Sequence, residues 1–196
     1  MYLLLNKNPK FIDYLKDDNL GLLLTPLVSI PKEDTKDYLT AIDNGAFSGF
    51  NETKFYKTLE LYKDINPKFV VLPDVVADHK QTLDLYNKYK HLEKSFNTAF
   101  VLQDGLIEKE IPTNVSAIFI GGTTEFKLSK QVRKVVKSAL KQDLWVHIGR
   151  VNSQKRIRYA LDIGCNSFDG SGYAKFPYKL YRDLGYLNML LQPTLL

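Results

Sequence analysis

Eight short apolar runs punctuate this chain, with helical patterns in the stretches between most of them. The runs are Tyr2–Leu5, Gly21–Thr25, Tyr38–Ile42, Phe69–Leu72, Thr98–Leu102, Ala117–Ile120, Leu144–Ile148 and Ser167–Asp169. Phe69-Val70-Val71-Leu72 and Ala117-Ile118-Phe119-Ile120 are apolar without interruption. A strand with one wet face alternates apolar and polar residues, whereas an unbroken run fits a parallel strand covered on both faces. Helical spacing follows in Asn51–Asp64, where Phe55, Leu59 and Tyr62 share a face and Asn51 is placed to cap the start. Asp78–Leu92 aligns Leu83, Tyr86 and Tyr89, and Ser129–Lys141 aligns Val132, Val135, Val136 and Leu140. Ser153–Ile163 opens on a serine and stops at Gly164, and Tyr178–Leu191 closes the series. Strand and helix in alternation predict an α/β protein, a compact (β/α)8 TIM barrel forming a single domain over residues 1–196. The length is slightly short for that fold, and Pro26–Asp37 has little helical periodicity, so an open doubly wound sheet is the alternative.

Composition narrows the chemistry. One cysteine, Cys165, and three scattered histidines, His79, His91 and His147, speak against a disulfide framework or a Cys/His zinc site. The expectation is no metal and no cofactor. No apolar run approaches the ~20 residues of a membrane span, and Met1–Asn6 is too short for a signal peptide, so the expected setting is the cytoplasm. Net charge is +5, from 27 Lys and Arg against 22 Asp and Glu. That balance favours an anionic partner such as nucleic acid or a phosphorylated ligand, or serves solubility alone.

In a barrel the chemistry sits where strands end at their C-terminal side. After the third run comes Asp43-Asn44-Gly45-Ala46-Phe47; after the fourth, Pro73-Asp74; after the fifth, Gln103-Asp104-Gly105. The sixth leads to Gly121-Gly122-Thr123-Thr124-Glu125, the seventh to Gly149-Arg150-Val151-Asn152, and the eighth ends on Asp169-Gly170-Ser171-Gly172. Each motif has a plain structural reading: a turn at Asp43-Asn44-Gly45, a helix cap at Asp74, a tight loop or phosphate cradle at Gly121-Gly122. Asp169 is the hardest to dismiss, because the core residue Phe168 beside it fixes the backbone. Tyr56, Tyr62, Tyr86 and Tyr89 fall at helical spacing and read as packing residues. His79 and His91 read as solvated helix positions, and His147 as part of the barrel wall.

The segment Val146-His147-Ile148-Gly149-Arg150 through Gly164-Cys165-Asn166-Ser167-Phe168-Asp169 resembles the end of the barrel in tRNA-guanine transglycosylases. Asp43-Asn44-Gly45-Ala46-Phe47 resembles that family's D-S-G-G-F loop, and Leu72-Pro73-Asp74 stands where it carries a base-recognising aspartate. Val101-Leu102-Gln103-Asp104-Gly105 resembles V-Q-G-G and Ile120-Gly121-Gly122 resembles I-G-G-L, so the motifs follow one order over about residues 38–177. The resemblance implies Asp169 as nucleophile at the sugar C1′ and Asp43 as general acid and base. It implies that Asp74, Gln103, Gly121 and Gly122 read a guanine-like edge, with Asn44, Phe47 and Arg150 completing the binding set. The family's cysteine and histidine zinc site has no counterpart, Ala46 replaces a glycine, and F-D-C becomes Phe168-Asp169-Gly170. The compact form is more similar to the branch acting on DNA in phages and modification islands, which exchanges guanine for a 7-deazaguanine or removes a modified base. DNA is therefore the expected partner ahead of tRNA, with a free nucleobase as a further possible one. A duplex target must be flipped out of its stack. Lys127, Lys130, Arg150, Lys155, Arg156, Arg158 and Lys175 are the expected basic rim. A phosphate-handling isomerase or aldolase barrel is the rival, disfavoured by the absence of Lys from the predicted strand ends. A binding module without catalysis is the third reading, and no motif sets the oligomeric state.

Overall fold

The computed structural model describes residues 1–6 and 17–192. Residues 7–16 and 193–196 of the predicted single domain lie outside the described residues. Eight parallel strands follow one another around a closed ring: β1 (Tyr2–Leu5), β2 (Leu20–Leu24), β3 (Leu39–Ile42), β4 (Val70–Val71), β5 (Thr98–Leu102), β6 (Ala117–Ile120), β7 (Trp145–Ile148) and β8 (Ser167–Asp169). Tyr2, Leu3 and Leu4 of β1 register on Ser167, Phe168 and Asp169 of β8 and close the circle. The fold is a (β/α)8 TIM barrel. A doubly wound sheet has two free edges, and this sheet has none, which rules that alternative out.

Helices α1 (Glu52–Tyr62), α2 (His79–Tyr89), α3 (Thr124–Lys127), α4 (Lys130–Leu140), α5 (Gln154–Asp162), α6 (Ser171–Lys175) and α7 (Pro177–Leu191) surround it. Four of the longer ones begin on a polar cap. The side chains of Asn51, Asp78, Ser129 and Ser153 accept from the backbone N–H of Lys54, Gln81, Val132 and Arg156. Asp78, not Asp74, therefore caps α2, which leaves Asp74 free for another task. Gly164 sits at φ 88° just past α5, a conformation that costs glycine nothing. Pro26–Asp37 contributes an isolated bridge from Val28 to Thr25 and a short 3-10 turn, Lys32–Thr35, in place of a helix.

Side chains along a strand point alternately inward and outward. Leu4, Leu23, Ala41, Phe69, Val71, Ala99, Val101 and Ala117 pack together inside the barrel, with Phe119 and Trp145 against them. Their neighbours Leu3, Leu22, Ile42, Val70, Phe100, Ile118, Val146 and Phe168 face the helices and form the outer core. Two steps beyond the inner layer, in the same phase, come Asp43, Gln103, Gly121, Gly149 and Asp169. The pleat thus delivers the strand-end residues to the mouth of the barrel.

Two expectations need correcting. Tyr62, Tyr86 and Tyr89 are buried as packing residues, but Tyr56 is 37% exposed, because it stands one residue, or about 100°, off the stripe of Phe55, Leu59 and Tyr62. His79 is not solvated. Its backbone N–H donates to the Asp104 carbonyl, which draws the start of α2 over β5 and buries the ring edge-on against Phe100. His91 is exposed as expected, 3.3 Å from the Tyr56 hydroxyl. Among the described residues, no helix is long and apolar enough to cross a membrane.

Candidate active site

A cavity of about 290 Å³ opens at the C-terminal end of the strands. Its floor is the last inward ring of Leu23, Val71, Val101 and Phe119, and its walls carry Asp43, Asp74, Asp169, Gln103, Lys127 and Arg150. All the residues expected to act on substrate, namely Asp43, Asn44, Phe47, Asp74, Gln103, Gly121, Gly122, Arg150 and Asp169, line this one cavity.

Three carboxylates in so small a space repel one another. Asp43 responds most: burial first, then the charges of Asp169 and Asp74, push it from 3.8 up to about 7, against the opposing pull of the Gly45 and Asn44 backbone N–H groups. Asp74 is also raised, by burial, and is held back by hydrogen bonds from Asn44 and Gln103 and by the Arg150 charge. The Asn44 amide donates to Asp74 Oδ1 and to the Leu72 carbonyl, both at 2.7 Å, and its oxygen accepts from Ala46 N–H. Both of its N–H groups are thus spent within the protein, and Asn44 acts as a strut between β3 and β4. Gln103 Nε2 donates to Asp74 Oδ2 at 2.6 Å, while its oxygen accepts from Ala77 N–H at 2.8 Å. One N–H of Gln103 remains for a ligand.

Asp169 is held from two sides. Arg150 N–H donates to Oδ1 at 3.2 Å and His147 Nε2 lies 3.1 Å from Oδ2. His147 is wholly enclosed, and its Nδ1 is 2.8 Å from Ser167 Oγ, which in turn accepts from the Trp145 indole N–H at 2.8 Å. A neutral imidazole has a single N–H, and a carboxylate needs a donor, so that N–H belongs on Nε2 and Ser167 donates to Nδ1. Trp145, Ser167, His147 and Asp169 form one directed chain through the barrel interior. Sequence reasoning placed His147 in the wall but missed this link. The signal was its phase, two residues before Gly149 as Ser167 is two before Asp169.

Two glycines keep the cavity open. A Cβ at Gly121 would lie 2.7 Å from Gln103 Nε2, and one at Gly149 would lie 2.7 Å from the Phe119 ring. Backbone strain serves the same site. Arg150 and Ala77 adopt φ of 60° and 62°, rare for residues with a Cβ, and these are the two whose N–H groups reach Asp169 and Gln103. The Arg150 guanidinium donates to the Gly122 carbonyl at 2.8 Å and lies 4.6 Å from the centre of the Phe47 ring, which is 69% exposed at the rim. Leu27, Val28 and Val76 are further exposed apolar residues around the mouth.

The expected basic rim divides. Lys130, Lys155, Arg158 and Lys175 are exposed, and Arg156 is braced on Thr124 Oγ1 at 3.0 Å. Lys127 does not belong to the rim. It ends α3, which folds back over the cavity, so its amine is buried and donates to the Gly149 carbonyl at 2.6 Å. A lysine therefore does reach the strand ends, by way of a short helix that the sequence pattern did not reveal. Among the described residues, no group of three or more His, Cys, Asp or Glu side chains is arranged to hold a metal. No protein-family model matches this sequence, and no curated protein matches it.

Proposed function

We propose that this barrel breaks a purine-like N-glycosidic bond in nucleic acid, DNA ahead of RNA, with Asp169 as nucleophile and Asp43 as the proton carrier. The observation that carries the reading is that these two carboxylates line one cavity, close enough for the Asp169 charge to act on Asp43, yet differ in environment. Asp169 is gripped by donors on each oxygen, whereas Asp43 is pushed up to about 7 and so holds a proton near neutrality. An Asp169 oxygen bonds to C1′ as the C1′–N bond breaks, and the bonding pair leaves with the base, which takes its proton from Asp43. The resulting sugar ester is opened by an incoming base such as a 7-deazaguanine, or by water, with Asp43 now receiving the proton. Asp74 and the free N–H of Gln103 offer an acceptor and a donor to a base edge. The exposed Phe47 ring, backed by Arg150, provides a face for stacking, worth roughly 1–3 kcal/mol.

The test is to incubate the protein with DNA carrying guanine or modified purines and to follow released bases by mass spectrometry. Asp169→Asn should lower release by about three orders of magnitude or more while the fold persists. A protein–DNA ester surviving denaturation should form with wild type and not with Asp169→Asn. Near wild-type release by Asp169→Asn would remove the nucleophile assignment. A carbonyl-handling barrel of isomerase or aldolase type is the second reading, favoured by the presence of Lys127 in the cavity.

A further inference from the structure

The mechanism above leaves one reactive group in the cavity unused. Lys127 is 8% exposed, borders the same cavity as Asp169, and has its backbone clamped: its N–H donates to the Thr123 carbonyl and its carbonyl accepts from the Tyr159 hydroxyl at 2.8 Å. Thr123 is itself fixed by Asp104, which accepts from its N–H and its hydroxyl. The amine rests on the Gly149 carbonyl at 2.6 Å, and Gly149 is the residue whose Cβ position lies 3.4 Å from Asp169 Oδ2. Lys127 and Asp169 thus line one cavity, close enough that the Asp169 charge acts on the ammonium. Burial, assisted by the charges of Arg150 and Arg156, lowers it to about 8, so about a tenth of it is a free amine at neutral pH.

We propose that Lys127 forms an imine with the C1′ aldehyde of an abasic deoxyribose, giving the protein a strand-cleaving lyase activity in addition to base removal. This rests on the proposed reading wherever the abasic sugar is the protein's own product, left when water and not a base opens the Asp169 ester. The ring-opened sugar exposes an aldehyde at C1′. Lys127 Nζ adds to that carbon, and loss of water leaves a protonated imine. A carboxylate of the cavity takes a proton from C2′, and the electron pair forms the C1′–C2′ double bond of an enamine. That pair then moves on to form the C2′–C3′ double bond, the C3′–O bond breaks, and the 3′ phosphate leaves with its electrons. Water finally hydrolyses the conjugated imine, releasing the unsaturated aldehyde and free Lys127. No oxidant or reductant is consumed.

The experiment supplies DNA with one preformed abasic site, adds borohydride to reduce any imine, and maps the linked peptide by mass spectrometry. The expected result is a sugar adduct on Lys127 in the wild-type chain, formed without base removal because the abasic site is supplied. Lys127→Arg keeps a cation against Gly149 and should lose the adduct; a melting curve shows whether it folds. Base release without any Lys127 adduct would overturn the lyase and leave the proposed function standing. An adduct on Lys127 in a protein that releases no base would uphold the amine chemistry and remove the glycosidic reading. Attachment to a different amine, or trapping with a small ketose phosphate in preference to abasic DNA, would overturn the proposal.

Discussion

Asp43 ties stability to pH and, on the proposed mechanism, turnover as well. Unfolded, it titrates near 3.8, and folded near 7, so between those values only the native state holds its proton. The native state then binds more protons than the unfolded one, and stability falls as pH rises. The protonated form's contribution is complete below about pH 4 and is lost as the pH passes 7. The full difference corresponds to about 4 kcal/mol, and water at the open side of the carboxyl should reduce it to about 2 kcal/mol. Asp43→Asn should accordingly melt with wild type at about pH 4 and above it at about pH 8, a comparison made by calorimetry at the two values. The same variant should lose the limb of the activity profile near neutrality. On the proposed mechanism His147 would act at one remove, through Asp169. Replacing it by Ala takes away the Nε2 donor and a ring packed 4.6 Å from Phe119, which frees the carboxylate to turn. We expect kcat to fall about 100-fold with KM little changed, because misplacing a reacting group costs about that much. His147→Gln, which can still donate, should recover part of the loss, whereas a purely structural role would make both variants fail together in thermal stability and leave kcat alone.

Strand-end loops are the parts whose construction decides the cavity, and glycine substitutions report on them. Gly121→Ala would press its Cβ on Gln103 Nε2 and Val101, at 2.7 and 2.8 Å. Either Gln103 leaves Asp74 or the strand shifts, and a loss of about 1–3 kcal/mol is expected together with weaker substrate binding. Gly185→Ala is the control: it is exposed in α7 with nothing within 4 Å of the new atom, and it should add up to about 1 kcal/mol without touching activity. Both are read from melting curves and steady-state rates. The barrel itself was legible in the sequence because its signals are local. Unbroken apolar runs mark β4 and β6, and Asn51, Asp78, Ser129 and Ser153 mark helix starts one turn from where they act. The strand-end residues were legible for the same reason, since the pleat carries phase forward from a recognisable core. What escaped depends on folding back. Lys127 enters the cavity because four residues, Thr124–Lys127, make one turn held by Asp104 on another loop. His79 is buried because Asp104 accepts from its backbone. Neither pairing has a periodicity to read. The relay behind Asp169 lay in between, visible in phase but not in hydrogen bonding.

Charge acts over the full surface. With a net charge of +5 and exposed Lys130, Lys155, Arg158 and Lys175 among the late loops, binding to DNA should release counterions. Affinity measured by fluorescence anisotropy should fall tenfold or more between about 50 and 200 mM salt, and an affinity indifferent to salt would point to a small-molecule substrate instead. The ring of strands is uneven in a way that bears on this binding. β2 and β3 register over four residue pairs, while β3 and β4 register only at Ile42 and Val70. The residues that follow those two strands are Asp43 and Asp74, bridged by Asn44 through its amide bonds to Leu72 and Asp74. The barrel's shortest seam therefore lies under the two carboxyls to which the proposed mechanism assigns the ligand. The amide protons of Ile42 and Lys68, which donate across this seam to the Phe69 and Thr40 carbonyls, should exchange with deuterium sooner than those of Val101 or Ile118. A base clasped between the two carboxyls would span that seam like a keystone, and exchange there should slow more than anywhere else in the ring as the cavity fills. Occupancy would then become a mechanical property: the empty barrel should breathe at the joint to which the proposed mechanism assigns its ligand, and the loaded barrel should not.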